Sequence, residues 1–408
     1  MTAPVSASVL LRQFTALVDE KGPHPPEPSD AGQSLAVGAA GTALLFVEGA
    51  WHGQPWGPAH RLITEAAAGA INAGDTGGLF LGATAIAFLL STTPPDRDHL
   101  YADARAVLHR QVTALAHRRS DVAHLRLRAG GPLSFADYDL FYGLTGIGAY
   151  LLQTDPGSSA LGRVLEYLVA LTRPRSLNGS DLPGWWVHHD PRRAQSDRFP
   201  GGHTNLGTAH GIAGPLLLLA KALRAGIQVD GHCAAIRTIC DFLDTWRQDT
   251  PKGPWWPNYL SHEDLQRRHP RQDIPGKPSW CYGTTGIARS GQLAGIALGD
   301  TNLQALYEDA LYRALTDRAQ FRAVVDVGLC HGWAGIYQTV VRAAADSNDP
   351  RLPHLRHQLA KALITHARPN TAKGRGLLDG AAGTALALST LAHSKPPDNG
   401  WDACLLID

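Results

Sequence analysis

The chain has 408 residues, enough for a large core, and its 44% hydrophobic and 18% charged residues make an ordinary globular balance. A formal net charge of +1 lacks the basic excess that a nucleic-acid binder usually carries. Five cysteines in a chain this long do not form a disulfide framework, so cysteines placed in motifs are expected to ligate metal or do chemistry.

Met1 to Phe14 lacks a basic region followed by an apolar run and a small-residue cleavage site, which predicts no secretory signal. From Gly38 onward one pattern recurs: Gly-x-x-Gly, or a close variant, opening a small and apolar helical run. It appears as Gly38-Ala-Ala-Gly41, degenerately as Gly82-Ala-Thr-Ala85, then as Gly143-Leu-Thr-Gly146, Gly211-Ile-Ala-Gly214 and Gly283-Thr-Thr-Gly286. The last copies are Gly332-Trp-Ala-Gly335 and Gly380-Ala-Ala-Gly383. First glycines lie 44 to 72 residues apart, room for two helices in each interval.

One helix of each pair follows the glycines. Gly211 to Ala222 is apolar nearly all round and is expected to be buried. The other helix is amphipathic. Leu100, Ala104, Val107, Leu108 and Leu115 form one stripe; Leu303, Leu306, Tyr307, Ala310, Leu311, Ala314 and Leu315 form another. Thr301, Glu308, Asp309, Arg313 and Asp317 supply the polar face of the second. The densest apolar stretch, Gly211 to Leu223, is too short to span a bilayer and contains Lys221. A soluble, cytoplasmic protein is expected.

Seven pairs of one buried and one half-exposed helix predict an all-α fold in two concentric layers. Closing the ring removes the need for capping repeats, so the expected architecture is an α/α toroid of seven helical hairpins, one domain over residues 1–408. The glycines are expected to let helix starts approach closely and to supply positive φ.

The residues just before each first glycine are Val37, Leu81, Tyr142, His210, Tyr282, His331 and Asp379. One position earlier stand Ala36, Phe80, Phe141, Ala209, Cys281, Cys330 and Leu378. Reactive side chains are thus gathered at helix starts that a toroid brings together. Cys281, Cys330 and His331 form a metal set. Two thiolates and an imidazole suit Zn²⁺, and three protein ligands leave a tetrahedral position open. Cys233, Cys240 and Cys404 lie outside the slot and read as structural. His210 occupies the slot one repeat earlier and reads as an acid/base group; a fourth metal ligand or a core histidine are the alternatives. Asp139, in Asp137-Tyr138-Asp139, either orients His210 or caps a helix.

Two intervals carry inserts, near 182–205 with Trp185, Trp186 and His188, and near 251–280 with Trp255, Trp256 and Tyr259. Paired tryptophans in Pro/Gly-rich loops predict a wall over the site that contacts a peptide, with plugs packed on the ring as the alternative.

Trp280-Cys281-Tyr282-Gly283, Cys330-His331-Gly332 and Ala209-His210-Gly211-Ile212-Ala213-Gly214 resemble the signature blocks of the LanC family, the lanthipeptide cyclases. Tyr138-Asp139 before Gly143-Leu-Thr-Gly146 and the ending Trp401-Asp402-Ala403-Cys404-Leu-Leu resemble it too. The resemblance implies an α/α toroid with one Zn²⁺ per chain, held by Cys281, Cys330 and His331. It implies addition of a peptide cysteine thiol to dehydroalanine or dehydrobutyrine in the same dehydrated precursor peptide, leader plus core. His210 is then the proton donor or thiol base, assisted by Asp139 and Tyr282. Where family members often carry an arginine four residues before the cysteine, this chain has Lys277, which keeps the charge but not the planar fork. Arg118 to Pro132 is either a remnant of the accessory domain that some members insert or a basic loop. With no dehydratase or kinase domain in view, the chain resembles a stand-alone class I type cyclase. A separate dehydratase, an exporter and a membrane-bound complex to which the cyclase attaches peripherally are the implied partners.

Two rival readings remain. A non-catalytic zinc and thiol-binding protein on the same fold predicts metal and glutathione or peptide binding without ring closure. A toroid glycoside hydrolase wants two carboxylates across a cleft, for which Asp139 and Asp379 are candidates.

Overall fold

The computed structural model describes residues 6–20, 31–177 and 180–408. Its helices are α1 (Ala7–Glu20), α2 (Ala39–Trp51), α3 (Gly57–Ala66), α4 (Ala83–Ser91), α5 (Ala102–Arg128), α6 (Phe135–Tyr138), α7 (Leu144–Thr154) and α8 (Ser159–Leu171). They continue with α9 (Ala213–Arg224), α10 (His232–Thr245), α11 (His262–Arg267), α12 (Thr284–Leu298), α13 (Thr301–Thr316), α14 (Arg318–Arg322), α15 (Trp333–Asp346), α16 (Arg351–His366) and α17 (Ala381–His393). Each glycine motif opens one buried helix: α2, α4, α7, α9, α12, α15 and α17. The amphipathic helices bury one face, such as Leu352, Leu355, Leu359 and Leu363 of α16.

The second glycine of the motif is set by sterics. A Cβ on Gly41 would lie 1.8 Å from the Leu35 carbonyl oxygen, one on Gly335 1.8 Å from that of Leu329, and one on Gly383 1.8 Å from that of Leu377. Before α2, α12, α15 and α17 the chain doubles back and lays a carbonyl against the helix's first turn, so a side chain at those positions collides with backbone; the degenerate copy has Ala85 there. Positive φ, expected throughout, occurs among the first glycines of the five helices α2, α7, α12, α15 and α17 nowhere: they lie between −117° and −86°. Only Gly82, in the degenerate copy, has φ 80°. Close approach, not left-handed backbone, selects these glycines.

The chain divides into two compact units, Met1–Val112 with Val324–Asp408, and Thr113–Ala323. In the first, α4, α2, α17 and α15 are successive neighbours, with α3 on α2 and α16 on α15. The outer place on α17 is taken by α1, which buries Leu10, Phe14 and Val18. Backbone bonds tie the helix starts together: Leu35 N–H donates to the Phe80 carbonyl (3.1 Å), Leu378 to Ala36 (3.1 Å), and Cys330 to Leu378 (3.0 Å).

In the second unit α7, α9 and α12 are neighbours, covered by α8, α10 and α13. Leu140 N–H donates to the Ala209 carbonyl (3.2 Å), and Thr208 and Ala209 both donate to the Cys281 carbonyl (2.9 and 3.2 Å). Strands modify the all-α expectation. The inserts form β1 (Arg175–Leu177), β2 (Ser180–Leu182), β3 (His203–Asn205), β4 (Gln248–Thr250), β5 (Gly253–Trp255) and β6 (Tyr259–Ser261). They pair antiparallel as β1–β2, β3–β6 and β4–β5. The β3–β6 ribbon, with Thr204 opposite Leu260, joins one insert to the other just before α9. Loop backbone that is buried must find partners, and short ribbons supply them.

Three other expectations change. Glu308 is buried, not part of a polar face: its Oε1 accepts from Gln292 and Gln304 Nε2, each at 2.8 Å. The α5 stripe starts later than expected, at Leu108, Val112, Leu115 and Ala116, while Leu100 and Val107 are exposed. Pro95–Tyr101 is a 3₁₀ segment whose three-residue turn shifts the phase. Of the stretch Arg118 to Pro132, Arg118–Arg128 is the end of α5 rather than a basic loop.

Candidate active site

His210 stands in the turn before α9, and its Nδ1 lies 2.6 Å from Asp139 Oδ2. Asp139 is wholly buried, and its other oxygen, Oδ1, accepts from the Tyr142 and Gly143 N–H groups at 2.6 and 2.8 Å. This one carboxylate meets the histidine with one oxygen and holds the turn that leads into α7 with the other, although the N-cap of α7, Gly143, has no side-chain cap of its own. Asp139 Oδ2 accepts the hydrogen bond of a Nδ1–H, the tautomer that leaves Nε2 free to exchange a proton.

Aromatic rings fix the imidazole plane. Phe135 and Tyr142 stack on it, with ring centres 5.1 and 5.5 Å away and interplanar angles of 19° and 9°. Tyr282 lies tilted at 6.2 Å, and the Arg193 guanidinium covers the Tyr142 ring at 4.4 Å. His210 keeps 19% of its side chain exposed, which excludes the core-histidine reading.

Cys281 is fixed from the His210 side. Besides the two amides on its carbonyl, Thr208 Oγ1 donates to the carbonyls of Trp280 and Cys281. A Cβ on Gly207 would lie 2.4 Å from the Cys281 oxygen, and one on Gly286 1.9 Å from the Trp280 oxygen. Ser279 Oγ sits 3.6 Å from Cys281 Sγ. Lys277 is exposed, and its carbonyl accepts from Ser279 N–H at 2.7 Å.

His331 Nε2 lies 3.2 Å from Asp326 Oδ2, and its Nδ1 lies 3.6 Å from Asp379 Oδ1. Lys373 Nζ pairs with the other Asp326 oxygen at 2.6 Å. Among the described residues one His/Cys/Asp/Glu group could hold a metal ion: Cys281, Cys330 and His331, whose ligand atoms all lie within 4.8 Å of one another. His210 is outside that group. The remaining cysteines are inert by environment where they are buried: burial pushes the Cys240 thiol up to about 12 and raises that of Cys404.

The tryptophan wall is not found. Trp185, Trp186, Trp255 and Trp256 are each 3% exposed or less. Trp185 Nε1 donates to Thr204 Oγ1 (2.7 Å), Trp186 Nε1 to the Gly201 carbonyl (2.9 Å), and Trp256 Nε1 to the Leu243 carbonyl (2.7 Å). They are plugs, because an indole sheds its large apolar surface best when its one N–H also finds an acceptor.

Sequence reasoning missed Thr208, Asp326 and the rings stacked on His210. Asp326 stands six residues before Gly332, as Lys277 stands six before Gly283, so the repeat carries a second informative slot.

The model of the lanthionine synthetase C-like protein family matches residues 29–406. The chain belongs to this family. This lanthionine synthetase C-like protein is 24% identical over 342 residues to the nisin biosynthesis protein NisC of Lactococcus lactis subsp. lactis, covering 82% of this chain and 78% of that one. It matches the solved structure of nisin cyclase with a TM-score of 0.80 at 22% identity, over 97% of this chain and 96% of the other. That likeness gives the fold, an α/α toroid, as the seven motifs predict.

Proposed function

We propose that this lanthionine synthetase C-like protein is a zinc-dependent lanthipeptide cyclase of the stand-alone class I type, a single toroid domain. It adds cysteine thiols to dehydroalanine or dehydrobutyrine within a dehydrated precursor peptide. The observation that carries the reading is the donor set: two thiols and one imidazole gathered within 4.8 Å. Likeness to nisin cyclase supports it.

The donors fit zinc. Cys281, Cys330 and His331 would hold it, and His331 Nε2, facing Asp326, leaves Nδ1 as the ligand atom. When bound, such an ion favours the thiolate of a substrate cysteine in its open fourth position. The chain's own residues do the rest. The sulfur bonds to the β-carbon, the double-bond pair moves to the α-carbon and its carbonyl, and a proton arrives at the α-carbon in place of the one lost from sulfur. Peptide mass is therefore unchanged. His210 moves a proton at Nε2, with Nδ1–H held by Asp139. Phe135 and Tyr142 stack on the imidazole and hold its plane. Tyr282 stands beside the histidine as an assisting group, and Lys277 supplies positive charge in the loop before Cys281.

The non-catalytic thiol-binding reading leaves the oriented Asp139–His210 pair without a task. The glycosidase reading is weaker still, since Asp139 has both oxygens engaged and no exposed surface. No helix among the described residues is long and apolar enough to cross a membrane. We place the protein in the cytoplasm, at the periphery of a complex with a dehydratase that acts before it and an exporter after it. The test is incubation with a dehydrated precursor peptide, followed by thiol alkylation and mass spectrometry. Loss of alkylatable thiol at constant mass supports the reading, and full retention of thiol with metal-loaded enzyme overturns it.

A further inference from the structure

In the unit Thr113–Ala323 a cavity of about 430 Å³ is lined by the end of α5, by α8 and by β1. Arg128, Arg173 and Arg175 share the lining with one carboxylate, Glu166. Glu166 is itself held by Arg163 Nη1 at 2.9 Å. Arg175 is only 9% exposed. Its Nη2 donates to the Gly131 carbonyl at 2.5 Å, while its Nη1 is buried with no hydrogen-bond partner. His124 Nε2, in the same lining, is also buried and unpartnered. The His124 ring meets Tyr167 edge-on at 5.3 Å, and the Tyr167 hydroxyl is a third buried group without a partner.

Arg175 Nη1 can only donate and His124 Nε2 donates in one tautomer, while the one lining carboxylate, Glu166, is engaged by Arg163, so an added acceptor satisfies both. A buried guanidinium N–H without one is costly, and gathered positive charge adds to the cost. An oxyanion relieves both. Leu127 and Pro174 give the cavity an apolar side that a bare inorganic ion leaves uncovered. A carboxylate carried on methylenes satisfies both kinds of lining, and its two oxygens match the guanidinium fork.

We propose that this cleft is a second binding site, which seats an aspartate or glutamate side chain of the peptide substrate; the identity of the occupant as substrate rests on the function proposed above. His124 reports on occupancy. Burial first, then Arg163 and Arg128, hold its pKa below the ordinary value, against weaker opposition from Glu166 and Asp121. Arg175 lines the same cavity. A seated carboxylate adds negative charge and raises the His124 pKa.

The experiment follows the His124 ring signal, assigned with His124→Gln, in full-length metal-loaded protein. The probes are a blocked octapeptide with one glutamate, its glutamine counterpart, and inorganic phosphate. The glutamate peptide is expected to raise the His124 pKa by about one unit, and the glutamine peptide to bind at least about tenfold more weakly. Arg128→Gln with Arg173→Gln, both on the exposed rim, should weaken the glutamate peptide about tenfold without affecting folding. Equal binding of the two peptides, a shift produced by phosphate alone, or no shift with any probe overturns the site. Ring closure separates this proposal from the first. If the peptide seats but precursor is never cyclised, the function fails and the cleft stands. If precursor is cyclised with an unchanged KM in the double variant, the cleft fails and the function stands.

Discussion

Asp139 holds His210 with one carboxylate oxygen, Oδ2 to Nδ1 at 2.6 Å, and holds the turn before α7 with the other, which accepts from the Tyr142 and Gly143 N–H groups. The two tasks are separable by substitution. His210→Ala should keep its metal and lose about 10²–10⁴-fold in ring-closing rate. Asp139→Asn retains an oxygen for the turn but presents the wrong partner to Nδ1, so it should lose rate with stability nearly intact. Asp139→Ala also leaves the Tyr142 and Gly143 N–H groups without their acceptor, at a further cost of about 1–3 kcal/mol. Single-turnover thiol consumption and urea unfolding measure the two effects. Equal rates in wild type and His210→Ala would remove the histidine from the mechanism.

Gly286→Ala should displace the Cys281 loop, because the new Cβ would meet the Trp280 carbonyl at 1.9 Å. Metal content and stability should fall together, the latter by at least about 2 kcal/mol. Gly162, in α8, has open space around its Cβ position and ordinary helical backbone. Gly162→Ala should gain about 0.5–1 kcal/mol. Calorimetry of the two variants side by side decides whether sterics select the motif glycines.

Trp256→Ala should act on stability and not on peptide affinity. Its indole stacks on Tyr307, with ring centres 5.4 Å apart, and donates to Leu243. The expected loss is about 3–5 kcal/mol. A raised KM in a variant of unchanged stability would restore the wall reading of the insert.

Stability should fall between mildly acidic and neutral pH through Glu48. Burial pushes its carboxyl up from 4.5 to about 7; the Asn399 N–H opposes the rise, and Asp398 and Asp402 add to it. The folded state therefore binds this proton more tightly than the unfolded chain. The stability it contributes is full below about 4.5 and is lost as pH rises through about 7, by up to about 3 kcal/mol. Glu48→Gln should be level with wild type in acid and more stable above neutrality. Denaturation curves that stay parallel from pH 4.5 to 8 would contradict this.

Much of this fold is legible because its glycines answer to sterics, and sterics recur. A carbonyl that lies against a helix start at Leu35, Trp280, Leu329 and Leu377 leaves the same trace in the sequence each time. Chemistry at the slot before the first glycine was visible for the same reason. What was not legible depended on partners distant in sequence. Glu308 looks like a surface residue until Gln292 and Gln304 are beside it. The tryptophans look like a wall until Gly201, Thr204 and Leu243 are seen to accept their N–H groups. The helix covering α17 comes from the opposite end of the chain, which no local window reports.

The proposed metal centre is open to direct measurement. Asp326→Ala should weaken metal binding about 10–100-fold in competition with a chromophoric chelator, because His331 loses the carboxylate at its other nitrogen. X-ray absorption at the zinc edge, on protein with and without a thiol-bearing peptide, reaches the central claim most directly. The account predicts one zinc per chain with two sulfurs, one nitrogen and one oxygen, the oxygen giving way to a third sulfur when the peptide is added. A metal-free protein, or a zinc already closed by a fourth side chain and unchanged by the peptide, contradicts it.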